Sequence, residues 1–330
     1  MAKAKRIEGL ECEGDVRAGA RLVLSTRLDE MCSVRESALD FTDIKGVHDM
    51  RVASRRLRSA LRDFAPYMRR GIIPSKGLKA LADALGRVRD EDVAIKALGK
   101  LKATVTSGIA DGIERIIDER RCRRERAREA LKARLTENAL AELHEKYIAR
   151  FEQATIANME QDAPRASRTA RPLSFRRAGR EIILARFDEL KALSYSLNHP
   201  FDAERLHRMR IAAKRLRYAV ELFHACWVGE PFTQVAKEIA ELQKSLGELH
   251  DCDVWIADLG ARLDERRAEN GSAIQVWARE RKRERRAAIW LLRHFVKGRT
   301  RHFQDALARW NRWETSGFYR RLVIPDCRTK

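Results

Sequence analysis

The sequence predicts an all-α protein that is built from two related halves. Only seven prolines and seventeen glycines occur in 330 residues, which favours long helices over a turn-rich β fold. Hydrophobic residues make up 44% of the chain, enough to bury a sizeable core. Several motifs also recur at a nearly constant spacing, and this repetition indicates two halves of common origin.

The strongest repeat is a segment of eighteen residues. Residues 47–64 (VHDMRVASRRLRSALRDF) match residues 206–223 (LHRMRIAAKRLRYAVELF) at an offset of 159, and nine positions are identical. A second segment, LGRVRDEDV at 85–93, matches LGELHDCDV at 246–254 at an offset of 161. The two matches occur in the same order in both parts of the chain, so the sequence predicts a duplicated fold.

Four helices are predicted in each half, because prolines disfavour helix interiors and therefore mark their boundaries. Pro66 and Pro74 bracket a connection after the first motif, and Pro200 and Pro231 flank the second motif. Ser75 and Asp202 are suitable N-cap residues. The predicted helices of the first half are 15–39, 45–68, 75–100 and 108–159, and those of the second half are 173–197, 202–226, 231–265 and 272–310.

The predicted domain organisation follows from the repeat. Four helices with short connections favour an antiparallel bundle in each half. The first half covers residues 1–163 and the second covers residues 173–330. A segment at 164–172 that is rich in Arg, Ser and Thr is the predicted linker.

The charge of the chain predicts a polyanionic partner. Lys and Arg number 68 against 48 Asp and Glu, which gives a net charge of +20. Nucleic acid, an anionic membrane and polymeric phosphate all fit this balance. No apolar stretch approaches the roughly 20 residues of a membrane span, and the first residues lack the apolar region of a secretory signal. We therefore expect a cytoplasmic protein without a membrane span, with its six cysteines as free thiols.

A row of basic side chains follows one face of the first motif helix. The spacing of 3, 4, 3 and 4 residues places its members on one side of a helix, beside an apolar stripe that is suited to a bundle core. The row consists of His48, Arg51, Arg55, Arg58 and Arg62, and the second half repeats it with His207, Arg210, Lys214 and Arg217.

These residue types suit a chain of phosphates. Arginine presents a forked and permanently charged donor set to phosphate oxygens, and protonated histidine donates two hydrogen bonds. A solvated basic face is the alternative for one such helix, but its repetition in two diverged halves favours a binding function. Two rows that face each other would form a basic groove. Possible additional basic contacts are Arg56, Arg124, Arg128, Arg215, Lys282 and Arg283.

Paired carboxylates lie in the second repeated segment. Residues two apart on a helix do not face each other, which argues against one shared metal site. We therefore expect no metal and no cofactor, and we assign these carboxylates to orienting the arginines. They are Asp90, Asp92, Asp251 and Asp253.

Two His-Asp dipeptides raise the alternative of a metal-dependent phosphohydrolase. The repeat does not align them, because Asp49 corresponds to Arg208 and His250 corresponds to Arg89. The recurring feature is a His-x-x-Arg spacing and not the dyad. The sequence also lacks the Walker A loop of nucleotide-binding proteins, the GxSxG motif of hydrolases, and the HExxH and other zinc-binding motifs. The sequence therefore favours a binding protein over an enzyme.

At these residues the sequence resembles the CHAD family, the conserved-histidine α-helical domains. The resemblance extends over about residues 16–320. It implies two four-helix bundles that are related by a pseudo-twofold axis around a basic central groove or pore. It also implies binding of inorganic polyphosphate and association with polyphosphate granules. The ligand contacts that it implies are His48, Arg51, Arg55, Arg58, His207, Arg210, Lys214 and Arg217.

Two positions depart from a symmetric pattern. Lys214 stands where the first half has Arg55, and Arg89 and His250 differ at equivalent positions. The hypothesis from the sequence is thus non-catalytic polyphosphate binding in the cytoplasm. The alternatives are a nucleic-acid-associated helical protein, or weak nucleic-acid binding beside the main function, and a metal-dependent phosphohydrolase. The sequence does not indicate an oligomeric state.

Overall fold

The computed structural model of the chain describes residues 7–73, 76–156, 173–227, 230–268 and 275–322, and within these ranges it contains helices and no strands. An isolated β-bridge joins Asp15 and Ser174. No helix in the described ranges has an apolar stretch long enough to cross a membrane. The prediction of an all-α fold is therefore confirmed.

The described ranges contain eleven α-helices. In chain order they are α1 Val16–Cys32, α2 Arg35–Leu39, α3 Ile44–Phe64, α4 Lys76–Lys102, α5 Ser107–Lys132, α6 Glu137–Thr155, α7 Phe175–Ala192, α8 Ala203–Phe223, α9 Glu230–Ala268, α10 Gln275–Thr315 and α11 Phe318–Leu322. Short 3-10 helices occupy Ala65–Tyr67, Ser194–Asn198 and His224–Cys226.

Two predicted helices are broken in the structure. The helix predicted over 15–39 divides into α1, which ends at Cys32, and α2, which begins at Arg35. The sequence predicts a helix over 108–159, but α5 ends at Lys132 and α6 begins at Glu137. Thr136 is the N-cap of α6, since its hydroxyl accepts a hydrogen bond from the amide of Ala139 at 3.3 Å. Asp202 caps α8 as predicted, accepting from the amide of Arg205 at 2.9 Å. Ser75 and the predicted linker 164–172 lie outside the described residues.

Contacts between residues divide the chain into two compact units. The first unit comprises Met1–Asp90, Arg124–Ile183 and Tyr218–Val228, and the second comprises Glu91–Arg123, Leu184–Arg217 and Gly229–Lys330. These units alternate along the chain, so each contains parts of both repeat halves. The halves 1–163 and 173–330 are defined by sequence similarity, and their status as structural domains stays a prediction.

The first unit has a core in which three phenylalanines meet. Phe175 lies 4.9 Å from Phe223 and 5.8 Å from Phe64 between ring centroids, and all three are fully buried. Phe64 and Phe223 are equivalent positions of the repeat. Gly19 and Gly179 lie directly against the rings of Phe175 and Phe223, where a Cβ atom would come within 2.4 and 2.5 Å. These glycines are therefore required by close packing.

The second unit is organised around the long helices α9 and α10. Leu98, Ile116, Leu259 and Leu291 lie in one buried cluster that joins these helices to α4 and α5. Trp255 belongs to the same cluster and is 9% exposed. Each Å² of apolar surface that is buried stabilises the fold by about 25 cal/mol, so this cluster is a main source of stability in the second unit. Trp255 is therefore a core residue of the second unit.

The cysteines differ from the expectation. Cys12 and Cys226 form a disulfide within the first unit, across a sequence separation of 214 residues. Cys32, Cys122 and Cys252 are free thiols, as predicted. The prediction of free thiols is wrong for Cys12 and Cys226, because no regular spacing in the sequence reveals that these two positions come together in space.

Candidate polyanion-binding site

The first basic row lies on α3, in the first unit. His48, Arg51, Arg55 and Arg58 are half-buried on one face of the helix, and Arg62 is exposed at its end. The neighbouring stripe is fully buried, as the sequence predicts; it contains Met50, Ala53, Leu57, Ala60 and Phe64. The helix thus packs through one stripe, while the other presents basic groups along about 15 Å at 1.5 Å per residue.

The second basic row lies on α8, in the second unit. His207, Arg210, Lys214 and Arg217 are half-buried. Arg217 Nη1 donates a hydrogen bond to Gln243 Oε1 at 2.5 Å. The equivalent apolar stripe is again buried and contains Met209, Ala212, Leu216, Ala219 and Phe223. The arrangement of a basic row beside a buried stripe therefore occurs on both helices.

An Arg–Asp pair recurs in the two rows. Arg51 Nη1 donates to Asp90 Oδ1 at 2.6 Å, and Arg210 Nη2 lies 3.8 Å from Asp251 Oδ1. Both carboxylate side chains are well exposed, at 69% and 64%. An exposed ion pair is worth about 1 kcal/mol or less, so a phosphate can displace the carboxylate at low cost. These two aspartates each lie against a row arginine, and their role in orienting it stays a prediction.

The other two predicted carboxylates have different surroundings. Asp253 accepts from Arg299 Nε at 2.6 Å, and Arg299 also donates to the carbonyl of Pro200. Asp92 is buried, at 3% exposure. The structure therefore brings Asp253 to an arginine outside the rows, where it connects α9 to α10.

A second histidine lies against the row in the second unit. His207 Nδ1 is 3.1 Å from His250 Nδ1, and the ring centroids are 4.2 Å apart. Burial lowers the pKa of His207, and the charges of Arg210 and Lys214 lower it further. A hydrogen bond at this distance requires one ring to carry a proton on Nδ1 and the Nδ1 of the other ring to accept it.

The first unit has an arginine at the equivalent position. Burial lowers the pKa of His48, followed by the charge of Arg89; Asp49 opposes this effect and Arg55 adds to it. The repeat aligns Arg89 with His250. The alignment alone does not predict that these residues lie near the row histidines, which only the structure reveals. These two residues are therefore additions to the site, beyond the ligand contacts that the sequence predicts.

Arg56 is a predicted extra contact, and the structure places it inside the first unit instead. Only 7% of Arg56 is exposed. Its Nη2 lies 2.6 Å from Glu221 Oε1, and its Nη1 lies 3.5 Å from Glu30 Oε1. Glu30 also accepts from Arg27 at 2.7 Å. Arg56 thus belongs to a buried ion-pair network and is not accessible to a polymer.

The same network recurs in the second unit. Arg215 lies 3.4 Å from Glu189, which also accepts from Arg186 at 2.7 Å. A further repeat in the sequence indicates this network. RLDE at 27–30 matches RFDE at 186–189 at the offset of 159, so the acidic partners are repeated together with the arginines. Repetition of Arg56 and Arg215 is therefore explained by ion pairing, without a ligand.

The remaining extra candidates are divided between buried and exposed positions. Arg128 is 8% exposed, lies over the ring of Phe41 at 4.8 Å and donates to the carbonyl of that residue. Arg124 pairs with Glu125 at 3.1 Å. Lys282 and Arg283 are exposed on α10, and Arg283 lies 3.4 Å from Asp111. Arg128 is thus a structural residue, whereas the α10 cations face solvent.

Metal ligation has no candidate in the described part of the chain. Within those ranges, no group of three or more His, Cys, Asp or Glu side chains is arranged to hold a metal ion. Beside the second row, His207 and His250 contact each other, and Asp251 lies against Arg210.

Comparison with known proteins identifies relatives of this fold. A family model for the CHAD domain matches residues 22–260. The CHAD domain of the plant Ricinus communis is similar in structure, with a TM-score of 0.67, 20% identity and coverage of 94% of this chain and 96% of that one. PptA from Streptomyces chartreusis has a TM-score of 0.62 and 13% identity, with coverage of 90% and 100%. A search of curated proteins found no significant match.

Proposed function

Because the chain belongs to the CHAD domain family, which is linked to polyphosphate in general, we propose that it binds inorganic polyphosphate without converting it. Membership of the family suggests the class of ligand, and the two basic rows supply the residues that would bind it. The observation that carries it is the recurrence of half-buried His, Arg and Lys side chains beside a buried stripe on both α3 and α8.

The composition of the rows fits a flexible phosphate polymer. The arginines are half-buried, so part of their solvation is already lost and their forks are held by packing. Arg58 has no ion pair or hydrogen bond to any residue that the structure describes, and Arg51 and Arg210 pair with exposed carboxylates. Repeated single phosphates along the polymer can therefore replace these weak partners one by one.

Binding should depend steeply on salt, because the polymer releases condensed counterions when cations replace them. The test is the affinity of long-chain polyphosphate for the full chain, measured at several salt concentrations. Arg58→Ala and Arg217→Ala should each weaken binding and reduce the salt slope. Arg208→Ala is a matched control, because Arg208 is exposed on α8 beside the row and pairs with Glu204.

We propose further that both rows bind the same polymer, as the groove implied by the family resemblance requires. Arg51→Ala combined with Arg210→Ala should then weaken binding by much more than either change alone, because two tethered contacts act at a high effective concentration. Equal losses from the double and the single variants would contradict one shared polymer. A loss that follows only the folded fraction would contradict the proposed function itself.

The proposal also includes absence of turnover and association with polyphosphate granules. Members of this family are generally binding domains, and the rows offer cations without a paired nucleophile and base. Polyphosphate and nucleoside triphosphates should remain intact with the purified protein, with or without divalent metal. A fluorescent fusion should colocalise with granules, and the Arg51→Ala, Arg210→Ala double variant should not.

A further inference from the structure

The exposed face of α10 carries a third basic row, in the second unit. Lys282, Arg286, Arg293 and Lys297 are all exposed, and their spacing of 4, 7 and 4 residues places them on one side of the helix. The opposite side of α10 is buried in the core of this unit, where Leu291 is fully inaccessible. The α10 row, as we call these four residues, is thus a solvent-facing feature.

Lys282 lies between Glu280 and Glu284, but the other three members of the α10 row lie in a segment of the helix without acidic residues. Between Arg285 and Gln304 the sequence contains no Asp or Glu. No member of the row forms an ion pair or hydrogen bond with a residue that the structure describes, whereas nearby Arg299 is paired with Asp253. Like charges on one helix face repel each other, so an external anion would be bound favourably here.

Aromatic rings lie beside the α10 row. Trp290 and His294 are stacked, with ring centroids 5.6 Å apart and planes inclined by 16°. His294 is exposed, and its pKa is lowered by burial and then by the charge of Arg301, which places that cation nearby. Cations combined with an accessible aromatic ring are the features that bind single strands, since bases stack on the ring while phosphates meet the cations.

Only part of the α10 row follows the duplicated pattern, since Lys282 and Arg293 correspond to Arg123 and Arg134. At the offset of 159, Arg286 corresponds to Ala127 and Lys297 corresponds to Asn138. Arg301 corresponds to Glu142, an acidic residue. The complete row of four cations therefore occurs only in the second repeat half, and it is separate in sequence from the paired rows of α3 and α8.

We propose that the α10 row binds single-stranded nucleic acid, with phosphates on the four cations and a base on the exposed edge of the Trp290–His294 stack. An anionic membrane fits less well, because the apolar side of α10 is already buried in the protein core and is not free to insert. Polyphosphate has no base to stack, so the aromatic part of this surface would contribute nothing to its binding. This inference does not rest on the proposed function.

The test uses the full chain and a fluorescent single-stranded oligouridylate. Arg293→Ala combined with Lys297→Ala should weaken its binding about tenfold or more at about 0.15 M salt, and should reduce the salt slope by about 1.4 for two lost contacts. Polyphosphate affinity should stay within about twofold of the unchanged protein. Lys96→Ala combined with Lys100→Ala is the control, since it removes two exposed cations with the same spacing from α4.

A second measurement separates base stacking from charge. His294→Ala should weaken binding of the oligouridylate about fivefold or more and leave binding of an abasic strand of equal length unchanged. The inference is overturned if the abasic strand binds the unchanged protein as tightly as the oligouridylate does. It is also overturned if the Arg293→Ala, Lys297→Ala variant loses polyphosphate instead, or if it behaves like the control.

Discussion

Lowering the pH from about 8 to about 5.5 should tighten polyphosphate binding, because the complex takes up protons that the free protein does not hold. Burial and nearby cations lower the pKa of His207 and of His48 below the ordinary value of about 6.5. Both imidazoles are therefore mainly neutral at pH 7 in the free protein. A bound polyanion favours their charged form and raises these pKa values.

The geometry limits the size of this effect. The Nδ1 atoms of His207 and His250 are 3.1 Å apart, so one carries the proton and the other accepts it. The pair can gain one proton at an outer nitrogen, but a second would bring two N–H groups face to face. Each proton taken up changes affinity tenfold per pH unit, about 1.4 kcal/mol. The slope of log affinity against pH should thus reach about −1 for the pair, with at most another −1 from His48.

Calorimetry in two buffers with different ionisation enthalpies measures the proton uptake directly. His250→Arg is the matched variant, since it gives the second row the residue found at Arg89 in the first. It should keep the binding but reduce the slope and the proton uptake of the second row towards those of His48, because an adjacent arginine opposes protonation of the row histidine. Binding must be measured where circular dichroism shows folded protein, because lowered histidine pKa values make stability fall as the pH drops below about 6.5.

Two results would refute this reasoning. A flat affinity between about pH 8 and about pH 5.5 would show that the imidazoles do not gain protons in the complex. An unchanged slope and an unchanged proton uptake in His250→Arg would show that the protons go elsewhere. A long polymer is needed in both cases, so that the titrating end groups contribute little.

Three further predictions concern stability. Arg56→Ala should lower the free energy of unfolding, measured by chemical denaturation, by about 3 kcal/mol because it removes a buried partner of two carboxylates. Arg58→Ala should change it little. Equal losses would contradict the assignment of a buried role to Arg56 and an accessible role to Arg58. Gly46→Ala should lower the free energy of unfolding by about 3 kcal/mol or more, since the new Cβ would meet the backbone of α2. Gly99→Ala has open space around it and should raise thermal stability slightly. The reverse order would show that α2 and α3 pack differently. Cys226→Ser should lower the free energy of unfolding by up to about 5 kcal/mol under oxidising conditions, and the stability of this variant should not respond to a reductant. Unchanged stability would show that the disulfide does not form.

The amphipathic pattern explains why much of the fold could be predicted. Leu57 and Leu216 recur with helical period beside charged residues, and burial of one face follows directly from that period. The position of the break between α5 and α6 is not predicted although Thr136 is a good N-cap, because the surrounding residues favour helix. Which segments combine into each compact unit depends on long-range packing, and no local pattern of the sequence contains that information.

The site shows the same division between local and distant information. The members of each row share a helix, so their common face could be predicted from spacing alone. Arg56 has the same residue type and the same repetition as the row, yet it is buried with Glu221, which is 165 residues away. The contact between His207 and His250 likewise joins two helices. Repetition therefore identifies positions under constraint without distinguishing ligand contacts from ion pairs.

The alternation of the compact units along the chain has a consequence for synthesis. The first unit needs residues from the start of the chain and also Phe223 and Cys226, which are made much later. At a translation rate of about 5–20 residues per second, Cys12 waits between roughly 10 and 45 s before its partner is added. During this interval the apolar stripe of α3 has no complete core to enter. The nascent chain therefore exposes this stripe until the segment that carries Phe223 and Cys226 has left the ribosome.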